Sequence, residues 1–241
     1  MSAEIGESRL RGILFDLDDT LLDSAAADRL VWLDIVELLR GGLPDIDGEA
    51  LRARYDDAVE RHYRDFLDGR TDFMTFRRRR LEEALEPWGT VDDELFDTYM
   101  REKARIPDVA TAFPDAVSTL RALRALGIRV GVLTNGPSDV QRRKLDVSGL
   151  GPELDAITVS GEIGVAKPDP EAFRIALERL GTTGEETAMV GDSLENDVIG
   201  GLAAGLRAVV WLPRAQSAEA PPAAHLAREI AEVPRMLGLV A

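Results

Sequence analysis

The 241-residue sequence predicts a doubly wound α/β core, a parallel sheet with helices on both faces, carrying an all-helical unit inserted after its first strand. Three observations predict it. A buried-looking apolar run, LRGILFDL at 10–17, opens the chain and ends among acids. From about 24 to 106 only helical spacing is found. After Phe113-Pro114 short apolar runs alternate with helices of roughly 10–15 residues, the texture of successive βαβ units.

The insert reads as four helices near 24–40, 48–68, 73–86 and 92–105, separated by GGLPD, DGRTD and PWGT. In the second, Leu51, Tyr55, Ala58, Val59, His62 and Phe66 recur at helical spacing. In the core, a helix at 115–126 closed by Gly127 precedes the strand IRVGVLT, and a helix at 138–147 precedes DAITVS. A helix at 169–180 closed by Gly181 leads to TAMVGD, and a helix at 195–204 leads to LRAVVWL. RAQSAEAPPAA reads as a loop before a last short helix at 224–237. The expected division is 1–22 with 111–241 for the core and 23–110 for the insert. An insert that leaves and rejoins the sheet near one edge is expected to cap that edge.

Composition narrows the function classes. A formal charge of −15 argues against nucleic acid or an anionic membrane as partner. With no cysteine, thiolate nucleophiles, disulfides and cysteine metal sites are excluded, and two histidines leave little room for a histidine metal site. Residues 1–9 lack the basic and apolar regions of a secretion signal, and no apolar run of about 18 residues occurs, so a cytoplasmic protein is expected.

Chemistry concentrates where strands end, which is where open parallel sheets bind ligands. Side chains alternate along a strand, so Asp16 and Asp18 point to one side. IRVGVLT ends in Thr134-Asn135-Gly136, a hydroxyl and a small amide able to donate to an oxyanion, although Asn-Gly is also an ordinary turn. Lys167 lies in GEIGVAKPDP. Only Lys103, Lys144 and Lys167 among 29 basic residues are lysines, so a compact ammonium is favoured there, while Pro168 and Asp169 also serve as a helix start. TAMVGD ends in Asp192, with Asp197 five residues later in GDSLEND. Asp16, Asp18, Asp192 and Asp197 against Lys167 leave a charge of −3, which calls for a cation. Oxygen-only donors select a hard one, and Mg²⁺ suits a site that also binds phosphate.

DLDDT, the Thr134 strand end, Lys167 and GDSLEND, in that order, resemble the haloacid dehalogenase-like hydrolase superfamily over about 1–23 and 111–241, with the insert in the cap position. The resemblance implies a Rossmann-like core and a Mg²⁺-dependent phosphomonoester hydrolase. Asp16 would be the nucleophile that forms an aspartyl-phosphate, and Asp18 the general acid and then base, its pKa raised among like charges. Thr134, Asn135 and Lys167 would hold the phosphoryl oxygens. The metal would take Asp16, the backbone carbonyl of Asp18, and Asp192, with Asp197 in the outer shell. LTNG with VGDSLENDVIGGLAAG is similar to the branch holding nucleoside 5′-monophosphatases and acylneuraminate-9-phosphate phosphatases. A small phosphorylated metabolite, a nucleoside monophosphate or sugar phosphate, is therefore the expected partner. The alternatives are a 2-haloacid dehalogenase, which needs neither metal nor Asp18, and a non-enzymatic phosphoryl-accepting signalling or binding protein. In the insert, Arg77 to Arg80 read as a solvated, ion-paired helix face, with one arginine on a second anionic group of the substrate as the other reading. His62, Trp32 and Trp88 read as packing residues.

Overall fold

The structure, a computed structural model, describes residues 10–67, 69–214 and 221–240. The chain divides into two compact units, Met1–Ala25 with Pro107–Ala241, and Ala26–Ile106.

The first unit holds six parallel strands in the order β3-β2-β1-β4-β5-β6. They are β1 (Gly12–Phe15), β2 (Arg129–Thr134), β3 (Ala156–Val159), β4 (Thr187–Gly191), β5 (Ala208–Trp211) and β6 (His225–Leu226). β1 pairs with β2 on one side and β4 on the other, so the strand order reverses at the first strand. That reversal opens a crevice beyond its carboxyl end. All four residues of β1 are buried, as a central strand covered on both faces requires. Alternation splits the core in two. Ile13 and Phe15 join Leu120, Leu123 and Val190 on one face, whereas Leu14 joins Phe173, Leu180 and Met189 on the other.

The helices between these strands are α6 (Ala116–Ala125), α7 (Ser138–Ser148), the short α8 (Ser160–Ile163) and α9 (Pro170–Leu180). Asp169 caps α9 by accepting from the Glu171 N–H, and Gly181 ends it in the left-handed conformation. Two expectations need correction. The segment expected as helix 195–204 begins as a wide π-helical turn over Leu194–Ile199 and becomes α10 only at Gly200–Ala203. The Ser193 carbonyl accepts from both the Asp197 and Val198 N–H groups, which widens the turn and drives Asp197 fully inside. The expected helix at 224–237 is instead strand β6, a 3₁₀ turn at Ile230–Glu232 and α11 (Val233–Met236). Ala227, Ile230 and Val233 are buried at helical spacing, but His225 and Leu226 pair with Val210 and Trp211 at the sheet edge. Of the loop expected before that segment, 215–220 lie outside the described residues.

The second unit is built from α1 (Ser24–Arg40), α2 (Gly48–Leu67), α3 (Phe73–Leu85) and α4 (Asp93–Lys103), followed by the short α5 (Ile106–Val109). Asp72 and Asp92 cap α3 and α4 through their carboxylates. Trp32, Tyr55, Phe76, Leu81, Phe96 and Tyr99 form its interior, and the Trp32 and Tyr55 rings lie 4.7 Å apart. His62 is half-buried with Nε2 2.7 Å from Glu83. Among the described residues no helix is long and apolar enough to cross a membrane.

Candidate active site

β1 ends one residue before Asp16, whose backbone N–H still pairs with the Val190 carbonyl at 2.9 Å, so the carboxylate is fixed at the crevice floor. Only 8% of Asp16 is exposed. Lys167 Nζ donates to Asp16 Oδ1 and to Asp197 Oδ1, both at 2.6 Å. One ammonium thus ties the end of β1 to the turn after β4. The other Asp197 oxygen, Oδ2, accepts from the Ser193 N–H at 3.0 Å. Gly191 admits this arrangement, since a Cβ there would stand 2.2 Å from the Asp197 carboxylate.

Thr134 ends β2, is buried, and accepts at Oγ1 from Gln141 Nε2 at 2.6 Å. The Asn135 side chain was expected on phosphoryl oxygens. Instead its Nδ2 donates to the Lys167 carbonyl and its Oδ1 accepts from the Lys167 N–H, both at 2.9 Å. A primary amide gripping both polar groups of one peptide segment sets the position of Lys167. Its side chain is engaged there rather than facing a ligand.

Asp18 is the larger surprise. Its Oδ1 accepts from Lys144 Nζ at 2.6 Å and from the Ser24 hydroxyl, and its Oδ2 from Gln141 Nε2 at 2.8 Å. Burial alone would raise its pKa, but Lys144 and these hydrogen bonds outweigh it and hold the carboxyl below its ordinary value. The expected elevation among like charges is therefore reversed by a cation on α7. Sequence reading had not assigned Lys144, Gln141 or Ser24. The scarcity of lysine pointed to Lys144 as much as to Lys167, and Gln141 three residues earlier shares its helix face.

Asp16 and Asp192 are shifted the other way. Burial, opposed by Lys167 and reinforced by the neighbouring carboxylates, pushes Asp16 well above its ordinary range. Burial together with Asp197 and Asp19 pushes half-buried Asp192 up to about 7. Burial would lower Lys167, but Asp16 and Asp197 hold its ammonium above the ordinary value. With Lys144 included, four carboxylates face two ammonium groups and two negative charges remain. One divalent cation cancels them with every acid ionised. The donor set fits such an ion: Asp16, Asp192 and Asp197 each offer an oxygen, all within 4.8 Å of one another. Because both oxygens of Asp197 already accept hydrogen bonds, Asp16 and Asp192 are the freer pair. The Asp192 carbonyl is held by Trp211 Nε1 at 2.8 Å, which orients its backbone.

Comparison with known proteins agrees with this geometry. Residues 10–205 match the model of the haloacid dehalogenase-like hydrolase family. A phosphoserine phosphatase of Thermus thermophilus is 42% identical over 151 residues, an alignment spanning 61% of this chain and 59% of that protein. The N-acylneuraminate-9-phosphatase of Rattus norvegicus is 31% identical over 97% of this chain and 96% of its own length. Among solved structures, the magnesium-bound HAD-hydrolase YfnB of Bacillus subtilis is 28% identical, superposes with a TM-score of 0.78, and is matched over 95% of this chain and 99% of that one. On a family match over most of its length, and a relative 31% identical nearly end to end, the chain belongs to the haloacid dehalogenase-like hydrolase family.

Proposed function

We propose that this protein is a Mg²⁺-dependent phosphomonoester hydrolase that works through an aspartyl-phosphate on Asp16. The observation carrying the reading is the convergence at the strand-order reversal of Asp16, Lys167 and Asp192, with one buried ammonium 2.6 Å from the nucleophilic carboxylate. That relatives are named phosphatases supports it.

Asp16 attacks phosphorus with one carboxylate oxygen. The new P–O bond forms as the bond to the leaving alcohol breaks, and that oxygen takes a proton from the Asp18 carboxyl. In the second half, Asp18 carboxylate removes a proton from water as its oxygen attacks phosphorus, which frees Asp16 and restores the proton. Lys167 and the Thr134 hydroxyl, with the backbone N–H of Asn135, receive the equatorial oxygens. Asn135 holds Lys167 in register for that task. Asp16, Asp192 and the Asp18 carbonyl would hold Mg²⁺, with Asp197 behind them, and the ion supplies charge neutralisation to the phosphoryl group. Asp18 rests ionised on Lys144, the form needed for the hydrolytic half, and for the first half it takes up one proton from the monoanionic phosphomonoester as that substrate binds.

The substrate is a small phosphorylated metabolite, a nucleoside monophosphate or a sugar phosphate. Purified protein is tested on an aryl phosphate with and without Mg²⁺. Magnesium-dependent release that is lost in Asp16→Asn, with the circular dichroism spectrum retained, is the expected result. Substantial turnover in Asp16→Asn removes that residue from the nucleophile's role, and chloride release from a 2-haloacid would put carbon chemistry in its place.

A further inference from the structure

The four consecutive arginines of α3 divide by their surroundings. Arg78 pairs with Asp93 and Glu82, as a solvated face requires, and Arg79 is exposed. Arg77 and Arg80 are different. They stand three residues apart on one face of the helix, both half-buried, and among the described residues no carboxylate lies within ion-pair distance of either. Their Nε–H groups are buried without a hydrogen-bond partner. The Nη contacts are to neutral groups alone: Arg80 donates to the Tyr99 hydroxyl at 3.3 Å and Arg77 lies 3.7 Å from the Met100 sulfur. The guanidinium faces are supported by Phe73 under Arg77 at 4.4 Å and Phe76 under Arg80 at 4.7 Å.

The other half-buried or buried cations described in this unit are matched. Arg52 and Lys103 share Asp28, Arg54 has Glu86 and two carbonyls, and Arg78 has its acids. Burial holds the Arg77 guanidinium below its ordinary value, whereas at Arg80 burial is outweighed by Tyr55 and Tyr99 and the value is raised. Two like charges three residues apart on a helix repel, and two unpaired N–H groups under aromatic cover are costly. A single oxyanion removes both penalties, and a fork of planar donors is suited to a carboxylate or a phosphate.

We infer that Arg77, Arg80 and the Tyr99 hydroxyl form an anion-binding site within the helical unit, taking a carboxylate or phosphate group of a small metabolite. Two sources share this chemistry, a second anionic group on the substrate itself and a separate anionic ligand. The first rests on the phosphatase reading above and narrows the substrate to phosphomonoesters with a further anionic group. The existence of the site does not depend on that reading.

Malonate is titrated calorimetrically into the full-length protein without divalent cation. Wild type and the exposed control Arg79→Gln should bind alike, while Arg77→Gln and Arg80→Gln should each bind about tenfold more weakly, the scale of one charge-assisted pair. Should a glutamine variant melt much earlier than wild type, Arg77→Lys and Arg80→Lys keep the charge but lose the fork and serve instead. The source is read from kcat/KM for 3-phosphoglycerate against glycerol 3-phosphate, which differ by a carboxylate in place of a hydroxymethyl group. A ratio that falls about tenfold in Arg80→Gln places the substrate's own anion there. An unchanged ratio with malonate binding lost assigns the site to a separate ligand. No malonate binding by wild type, or equal binding in the arginine variants, overturns the site. Malonate binding with no hydrolysis of any phosphomonoester would overturn the phosphatase reading alone.

Discussion

Binding of Mg²⁺ should expel protons, and the count follows from Asp192. Its carboxyl moves from 3.8 to about 7, chiefly through burial and secondly through the charge of Asp197. At 1.36 kcal/mol per unit, the crowding amounts to about 4 kcal/mol against the ionised form. Because the folded-state value lies above the unfolded one, the folded metal-free protein binds the extra proton between the two. This group's contribution to stability is therefore greatest below pH 3.8 and falls as pH rises to about 7. A cation bound by the ionised carboxylate competes with that proton. At pH 6 about nine-tenths of Asp192 is protonated, so each Mg²⁺ should release nearly one proton from it, and at pH 8 only about a tenth of one. The apparent affinity should fall about tenfold per pH unit below 7 from this group, more steeply if Asp16 also holds a proton. Calorimetry in buffers of different ionisation enthalpy gives the count directly. A count near zero at pH 6, or an affinity flat between pH 6 and 8, would refute both the crowding and the choice of Asp192 as ligand.

Three other outcomes are expected. Lys144→Met should cost about 1–2 kcal/mol in urea denaturation at neutral pH, because it leaves the half-buried Asp18 carboxylate short of its cation. A double-mutant cycle with Asp18→Asn should return most of that cost as coupling. Gly191→Ala should displace Asp197 and with it Lys167, since the added carbon would meet the carboxylate at 2.2 Å, and turnover should fall by more than about a hundredfold with the sheet intact by circular dichroism. Asp16→Asn should lose at least about a thousandfold in kcat while melting no earlier than wild type, because it removes the nucleophile and relieves a crowded buried charge.

Much of the fold was legible because its periodicities are strong. The four insert helices and β1 to β5 follow apolar patterns that burial enforces, and Gly127 and Gly181 mark helix ends that need a positive φ. Two segments were misread where local pattern and tertiary pairing disagree. His225-Leu226 carries no strand signature and becomes a strand only because the β5 edge is open to it. The widening after Ser193 depends on one carbonyl accepting twice, which no propensity encodes. Within the site, groups at strand ends were found because the topology itself delivers them to one crevice. Groups reaching in from helix faces were not. Gln141 and Lys144 touch Asp18 across more than 120 residues of sequence, and only the docking of α7 beside β1 creates that contact.

The use of lysine draws these threads into one physical statement. Of 29 basic residues three are lysines, and all three are buried, whereas no arginine is among the buried residues described. Each ammonium meets a carboxylate: Lys103 with Asp28, Lys144 with Asp18, Lys167 with Asp16 and Asp197. An ammonium presents three rotatable donors from one small atom, so carboxylates from different elements can converge on it. A guanidinium presents a rigid plane that must be fitted edge-on and needs more room. At Lys167 the acids come from the end of β1 and the turn after β4, 151 and 30 residues away in sequence, and they meet at a single nitrogen. A planar fork would hold them apart and widen the crevice where the phosphoryl group is to sit. The described arginines accordingly remain at the surface or half-buried, and the two half-buried ones left without an acid on α3 mark where this division of labour leaves a charge for a ligand to answer.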